Sequence, residues 1–316
     1  MTQNNSTPAS KPRVLSLCRA WEGGFCPFVL ILLAGFGVTT IVSCGPRGDA
    51  RTIKVTGSDT MVNLAGAWAA AFKKKHPDIS VQVTGGGSGV GIAALSSGKI
   101  EIATASRAMK PKELELAKAN TGKEPKQIQV GLDALAIYVN KQNPIESISL
   151  SALAKIYGEG GTAKKWQDVG VDNTACRDGQ IIAITRENNS GTYVYFREAV
   201  LGEKANYQQG LGAQPGSSDV VKLVSNTPCA IGYSGMGYRT NQVKVVKVSK
   251  EEGEPGVEPS IESATDGTYP ISRPLFIYTL GEPSGAVQEF VKWVLSDEGQ
   301  EIIKEMGYVP LPKKIR

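Results

Sequence analysis

Ile79-Ser80-Val81-Gln82-Val83 alternates apolar and polar side chains and runs into Thr84-Gly85-Gly86-Gly87-Ser88-Gly89-Val90-Gly91. After it, Ile92-Ala93-Ala94-Leu95 begins a helix. A period of two that gives way, through glycines and hydroxyls, to a period of 3.6 is a strand turning into a helix. The device recurs. Thr52-Ile53-Lys54-Val55-Thr56 leads through Gly57-Ser58-Asp59-Thr60 into Met61, Leu64, Ala65, Trp68 and Phe72 at helical spacing. Ile100-Glu101-Ile102-Ala103 leads through Thr104-Ala105-Ser106-Arg107 to a helix opening at Pro111, and proline suits a first helical turn. Gln180 to Thr185 leads through Arg186-Glu187-Asn188-Asn189-Ser190-Gly191-Thr192 to a helix over 193–201. Ser58 or Asp59 is the expected N-cap of the first helix.

Alternating strands and helices of this kind predict an α/β fold with largely parallel strands. Four junctions rich in Gly, Ser and Thr, two of them with arginine, carry a chemical message too. Each helix start presents unpaired N–H groups and the positive end of a dipole, and glycine lets an anion approach the backbone. In parallel α/β sheets ligands bind beyond the carboxyl ends of strands, where all four junctions lie. The convergent expectation is a dehydrated oxyanion pocket; the alternative is four ordinary helix caps. Residues 85–91 lack the Gly-Lys-Ser/Thr ending of a nucleotide loop and the spacing of a dinucleotide fingerprint.

Composition narrows the classes. Among 316 residues, 41% are hydrophobic and 21% charged, which is ordinary for a globular chain and rules out wholesale disorder. The length allows about two domains or lobes. Net charge is +5 and dispersed, with Lys73-Lys74-Lys75 the one short basic run, so no nucleic-acid partner is expected. The single histidine, His76, precedes Pro77 and reads as a helix-end residue; no metal-ligand spacing is visible and no cofactor is expected. A Ser190 nucleophile would lack a base, since that histidine lies in another helix, which argues against a hydrolase. Aromatic residues make up only 7%, which argues against a lectin-like surface; Trp68, Trp166 and Trp293 read as packing residues.

The N-terminus reads as a targeting segment. Lys11, Arg13 and Arg19 precede an uncharged, mostly apolar run from Phe25 to Ser43. Ile41-Val42-Ser43-Cys44 follows, and it resembles a bacterial lipobox with Cys44 as the lipidated residue. Residues 1–43 are then a signal peptide and 44–50 a tether, the alternative being a transmembrane helix that ends in cysteine. Both place residues 51–316 outside the cytoplasm. Removal of 1–43 takes Cys18 and Cys26, and lipid takes Cys44. Cys176 and Cys229 remain, either as a disulfide or as two separate buried thiols.

The four junctions together resemble those of the phosphate-binding proteins of Pst-type ABC transporters. The likeness continues through Tyr157, Trp166-Gln167-Asp168-Val169-Gly170, Ala230-Ile231-Gly232-Tyr233 and Tyr269-Pro270-Ile271-Ser272-Arg273-Pro274-Leu275. It ends with Leu295-Ser296-Asp297-Glu298-Gly299-Gln300 and Gly307-Tyr308-Val309-Pro310-Leu311. The resemblance implies a two-lobed, type II periplasmic-binding fold, each lobe a mainly parallel sheet flanked by helices, closing about a two-strand hinge. It implies lobe one over 51–135 plus about 273–316, lobe two over 136–272, and crossings at Leu132–Val139 and Tyr269–Tyr278. It further implies a monomeric solute-binding protein, not an enzyme, that captures inorganic phosphate and serves permease subunits.

Carried over residue by residue, the resemblance makes Thr60 and the Met61 amide, Ser88, Ser106, Arg107, Arg186, Ser190, Gly191 and Thr192 the ligand set. Many relatives place an aspartate at the third junction, where it accepts the phosphate proton. Here Ser106-Arg107 stands instead, as in one branch of the family. Asp59 and Glu187 are the nearest acids, as acceptors or as helix caps, and Asp133 reads as structural. Rejection of sulfate is left open, and other tetrahedral oxyanions such as molybdate or tungstate stay as alternatives.

Overall fold

The computed structural model describes residues 51–316; the expected signal peptide, Cys44 and the tether lie outside the described residues. Three strands open the chain in parallel. β1 (Arg51–Gly57) pairs with β2 (Ile79–Thr84) and with β3 (Ile102–Ala105). They alternate with α1 (Val62–Lys75), α2 (Ser88–Ser96) and α3 (Pro111–Thr121). The α1 face that buries Leu64, Ala65, Trp68 and Phe72 packs into one core with Ile53, Val55, Phe290 and Val294. Full burial of each such side chain contributes roughly 1.5–3 kcal/mol. The indole N–H of Trp68 is not wasted: it donates to the Gly299 carbonyl at 2.9 Å. His76 closes α1 as its C-cap and stacks on Phe72.

The architecture turns on β4 (Pro125–Asn140). Its first half pairs antiparallel with β10 (Ser272–Leu280), and Leu132 and Gly131 also meet the short β11 (Val309–Pro310). From Leu135 onward its partners are β8 (Ala230–Gly235) and β9 (Val243–Ser249). Residues 133–140 are buried throughout, as a strand covered on both faces requires. One strand thus serves two cores. The second is built from Tyr157, Trp166, Phe196, Tyr233 and Tyr269, with Phe196 stacked on Tyr233.

Around this second core run β5 (Ser147–Ser149), α4 (Leu150–Tyr157), β6 (Ile182–Arg186), α5 (Gly191–Phe196), β7 (Gly212–Gln214), α6 (Ser217–Ser225) and α7 (Ile261–Thr265). Strand β6 lies parallel between β7 and β8. Helices α8 (Gly285–Leu295) and α9 (Asp297–Glu305) return to the first core. The continuous strand order is β2-β1-β3-β10-β4-β8-β6-β7. The sheet is mixed: parallel ladders lie on either side, and antiparallel β4 and β10 join them. Helix α5 begins two residues earlier than the periodicity suggests and passes into a π-helical turn over Arg197–Leu201.

Cys176 and Cys229 form a disulfide, with Cα atoms 4.8 Å apart. No helix among the described residues is long and apolar enough to cross a membrane.

Candidate anion-binding site

The four strand-to-helix junctions meet. At the end of β1, Gly57 adopts φ +149°, and a Cβ there would strike the Thr104 backbone. That close approach lets the Ser58 N–H donate to the Thr104 carbonyl at 2.9 Å, which ties the first junction to the third. The Ser58 hydroxyl then donates to Ser106 Oγ at 3.0 Å, and the Ser106 N–H donates to Ser88 Oγ at 3.1 Å. Gly191, the first residue of α5, faces this trio: a Cβ on it would lie 2.6 Å from Ser106 Oγ and still closer to Ser88 Oγ. The glycine-rich turn and the 186–192 turn are in direct contact. The Gly89 N–H donates to the Asn189 carbonyl at 3.0 Å, and Asn189 Nδ2 donates to the Gly86 carbonyl at 3.1 Å.

Beside the serines, Thr60 Oγ1 and Thr192 Oγ1 share a hydrogen bond of 2.9 Å. Thr60, Ser88, Ser106, Ser190 and Thr192 are all buried, so a group bound among them would exchange water for hydroxyl and amide donors. Ser190 caps α5: its Oγ accepts from the Thr192 and Tyr193 N–H groups, which leaves its own O–H as a donor. The Met61 amide, expected as a ligand donor, is engaged in a turn with the Ser58 carbonyl at 2.9 Å.

Two guanidiniums lie within the protein here, each only 1% exposed. Arg186, at the end of β6, gives Nη2 to Asp59 Oδ2 at 2.8 Å and to the Pro215 carbonyl. Nη1 goes to Ser217 Oγ and Nε to the Gln214 carbonyl. Four of its five N–H donors are used, and the last is on Nη1. Burial pulls its pKa below the ordinary arginine value, against the attraction of Asp59. Arg273, in β10, sits directly opposite Asp133 in the β4 ladder and donates to Asp133 Oδ2 from both Nε (3.1 Å) and Nη2 (2.8 Å). Its Nη2 also reaches Thr60 Oγ1 at 3.2 Å and Thr192 Oγ1 at 2.9 Å. Burial pushes the Asp133 carboxyl up, against the pull of Arg273.

One expectation needs correcting. Asp59 and Ser58 do not cap α1, whose N-cap is Met61 without a side-chain bond. The Asp59 carboxylate instead accepts from the exposed Gly86 N–H at 2.8 Å and from the buried Arg186, while the α1 terminus is served by its own turn. Arg107 is turned to Glu113, whose carboxylate takes both Nη groups at 2.7 and 2.8 Å. Burial acts to raise the Glu113 carboxyl, but the Arg107 and Lys110 hydrogen bonds outweigh it and hold the pKa below the ordinary glutamate value. Glu187 is exposed and lines, with Asp59, Asn189, Ser217 and Tyr238, a surface groove of about 370 Å³ over the Asp59–Arg186 pair. Burial raises the Tyr238 phenol to about 12, so it stays a neutral donor, here to the Asp59 carbonyl.

Residues 45–298 match the PBP superfamily domain. The chain is 36% identical over 278 residues to the phosphate-binding protein PstS of Pseudomonas aeruginosa, covering 85% of each chain. It is 30% identical to PstS of Bacillus subtilis, covering 90% of this chain and 93% of that one. The chain belongs to the PstS family of phosphate-binding proteins. Its fold agrees with a putative phosphate ABC transporter substrate-binding protein from Clostridium perfringens solved with bound phosphate. That match has a TM-score of 0.73 and 29% identity, over 83% of this chain and all of that one. Membership of the PstS family places the chain among type II periplasmic-binding folds and among binding proteins rather than enzymes.

Sequence reasoning about this PstS-family chain passed over Arg273 as a site residue. The signal was present: Asp133 and Arg273 are lone opposite charges at the edges of two apolar hinge strands, and such charges are buried only when paired.

Proposed function

We propose that this chain captures inorganic phosphate outside the cytoplasm and delivers it to the permease of an ABC transporter. The observation that carries the reading is the convergence of Thr60, Ser88, Ser106, Gly191 and Thr192 on one buried place, with Arg186 held to Asp59, the residue before Thr60. Phosphate stripped of water needs donors on every oxygen. Hydroxyls, backbone amides and the positive end of α2 supply them at fixed positions, without reorganisation. The names of the relatives support phosphate as the ion.

In this reading 51–135 with 273–316 form one lobe and 136–272 the other, and closure about β4 and β10 completes the site. Each guanidinium nearby already has a carboxylate, Asp59 for Arg186, Asp133 for Arg273 and Glu113 for Arg107. The pocket therefore holds the anion chiefly by hydrogen bonds rather than by excess positive charge. Hydroxyls accept as well as donate, so Ser and Thr can take the proton of a hydrogen phosphate here, with no carboxylate at the third junction. The protein acts as a monomer, anchored by lipid on Cys44 after loss of 1–43.

Equilibrium binding of labelled phosphate, with sulfate and molybdate as competitors, tests the ligand. Saturable 1:1 binding that sulfate does not displace is expected. Preference for sulfate or molybdate sinks the assignment. Mass spectrometry of the cellular protein should show a lipid-modified Cys44 N-terminus; an intact Met1 in the membrane fraction means a transmembrane segment instead.

A further inference from the structure

Three nitrogens of the Arg273 guanidinium are coplanar, and four of their five N–H groups leave it along two edges, the fifth pointing from Nη1 past Cδ. One edge, Nε with Nη2, is spent on Asp133 Oδ2. The outer edge belongs to Nη2 and Nη1 together. Nη2 uses it on Thr60 Oγ1 and Thr192 Oγ1. Nη1 therefore opens on the same side as those two hydroxyls. It is buried and has no hydrogen-bond partner among the described residues. A buried charged donor left unpaired costs more than most single contacts return. The geometry supplies one remedy, an acceptor oxygen beside Thr60 and Thr192.

We propose that Arg273 is a direct ligand of the bound oxyanion, donating from Nη1, while Asp133 holds its other edge. The inference rests on the phosphate reading of the site and deepens it. The placement explains why β10 carries an arginine here at all. Thr60 comes from the junction after β1, and Thr192 from the junction after β6. Arg273 sits between them on a strand of the hinge, so one guanidinium touches both sides of the site and the ion together. The Tyr195 ring, 5.5 Å from its central carbon, covers a face of the guanidinium and resists any swing out of plane. Asp133 balances its charge, so the contribution is direction and donor count rather than net charge.

The test combines a phosphate-soaked crystal structure with calorimetry on three variants at fixed salt. A phosphate oxygen about 3 Å from Arg273 Nη1 is expected. Phosphate bound in the cleft with Nη1 out of hydrogen-bond reach overturns the inference. Arg273→Lys keeps a charge for Asp133 but removes the outer edge, and it should weaken phosphate binding about ten- to a hundredfold. Should Arg273→Lys not fold, the neutral pair Asp133→Asn with Arg273→Gln takes its place, with the same expected loss. Arg186→Ala separates the two levels of the argument. If Arg186→Ala abolishes binding while the Arg273 variants bind within about threefold of the parent, Arg273 is no ligand although the site stands. If Arg186→Ala also binds normally, the phosphate reading of this cleft fails and takes the inference with it.

Discussion

Arg186 Nη2 meets Asp59 Oδ2 at 2.8 Å, joining the junction after β6 to the junction after β1 across 127 positions of sequence. The arginine is buried and the aspartate partly open, so water screens the pair from one side only. Around the same arginine gather Gln214, Pro215 and Ser217, and β6 and the start of α6 are thereby held to one another.

Four of the Arg186 donors hold Asp59, Gln214, Pro215 and Ser217 and one is left for a ligand, so removing Arg186 should weaken binding and also lower stability. Taking away a buried charged partner typically costs about 3–5 kcal/mol, two to four decades in affinity. Arg186→Ala should nearly abolish phosphate binding by calorimetry, with a circular dichroism spectrum like the parent's. Arg186→Lys should recover part, because the point charge returns without the fork. A folded Arg186→Ala protein that binds within about threefold of the parent places the anion elsewhere.

Gly191→Ala tests the closeness of the two sides. The new methyl must displace Ser88 Oγ and Ser106 Oγ, and overpacking of this kind costs about 1–3 kcal/mol. Phosphate affinity should fall about five- to a hundredfold. Since alanine is at home in a first helical turn, circular dichroism should stay unchanged. Undiminished affinity means that Gly191 does not face the bound ion.

The Cys176–Cys229 disulfide closes a separation of 53 residues and lies at the end of β6 remote from Arg186, where the Ile182 N–H meets the Cys229 carbonyl. Replacing both cysteines by serine should cost about 2–4 kcal/mol, a fall in Tm of roughly 5–15 °C. Phosphate affinity at 25 °C should change less than about threefold. A large loss of affinity in a folded double variant refutes the separation of the two features.

Glu113 links the third junction to pH. Its folded pKa lies below the ordinary glutamate value, held there by Arg107 and the Lys110 N–H against burial. A depressed carboxyl contributes stability that is present above its unfolded value and lost as pH falls through the folded value. Glu113→Gln should accordingly lower Tm relative to the parent at pH 7. The gap should narrow progressively below about pH 4.5. A gap that stays constant down to about pH 3 means that the carboxylate charge contributes nothing.

Sequence alone determined a good deal here. Apolar periodicity marked the strands and helices, because burial on one face imposes a period on the residues that make it. Glycine, serine and threonine marked the junctions, because those residues serve a tight turn and a helix start together. The 84–91 and 186–192 stretches stand out on that ground, and in space they touch. What only the tertiary structure decided are the pairings between distant charges and thiols. Arg107 chose Glu113, Arg186 chose Asp59, and Arg273 chose Asp133 from 140 positions away. Cys176 met Cys229 rather than staying a separate thiol. Local periodicity carries no information on such partners. A buried charge is stabilised by whichever opposite charge the sheet order brings beside it, and that order is set by the packing of both cores at once.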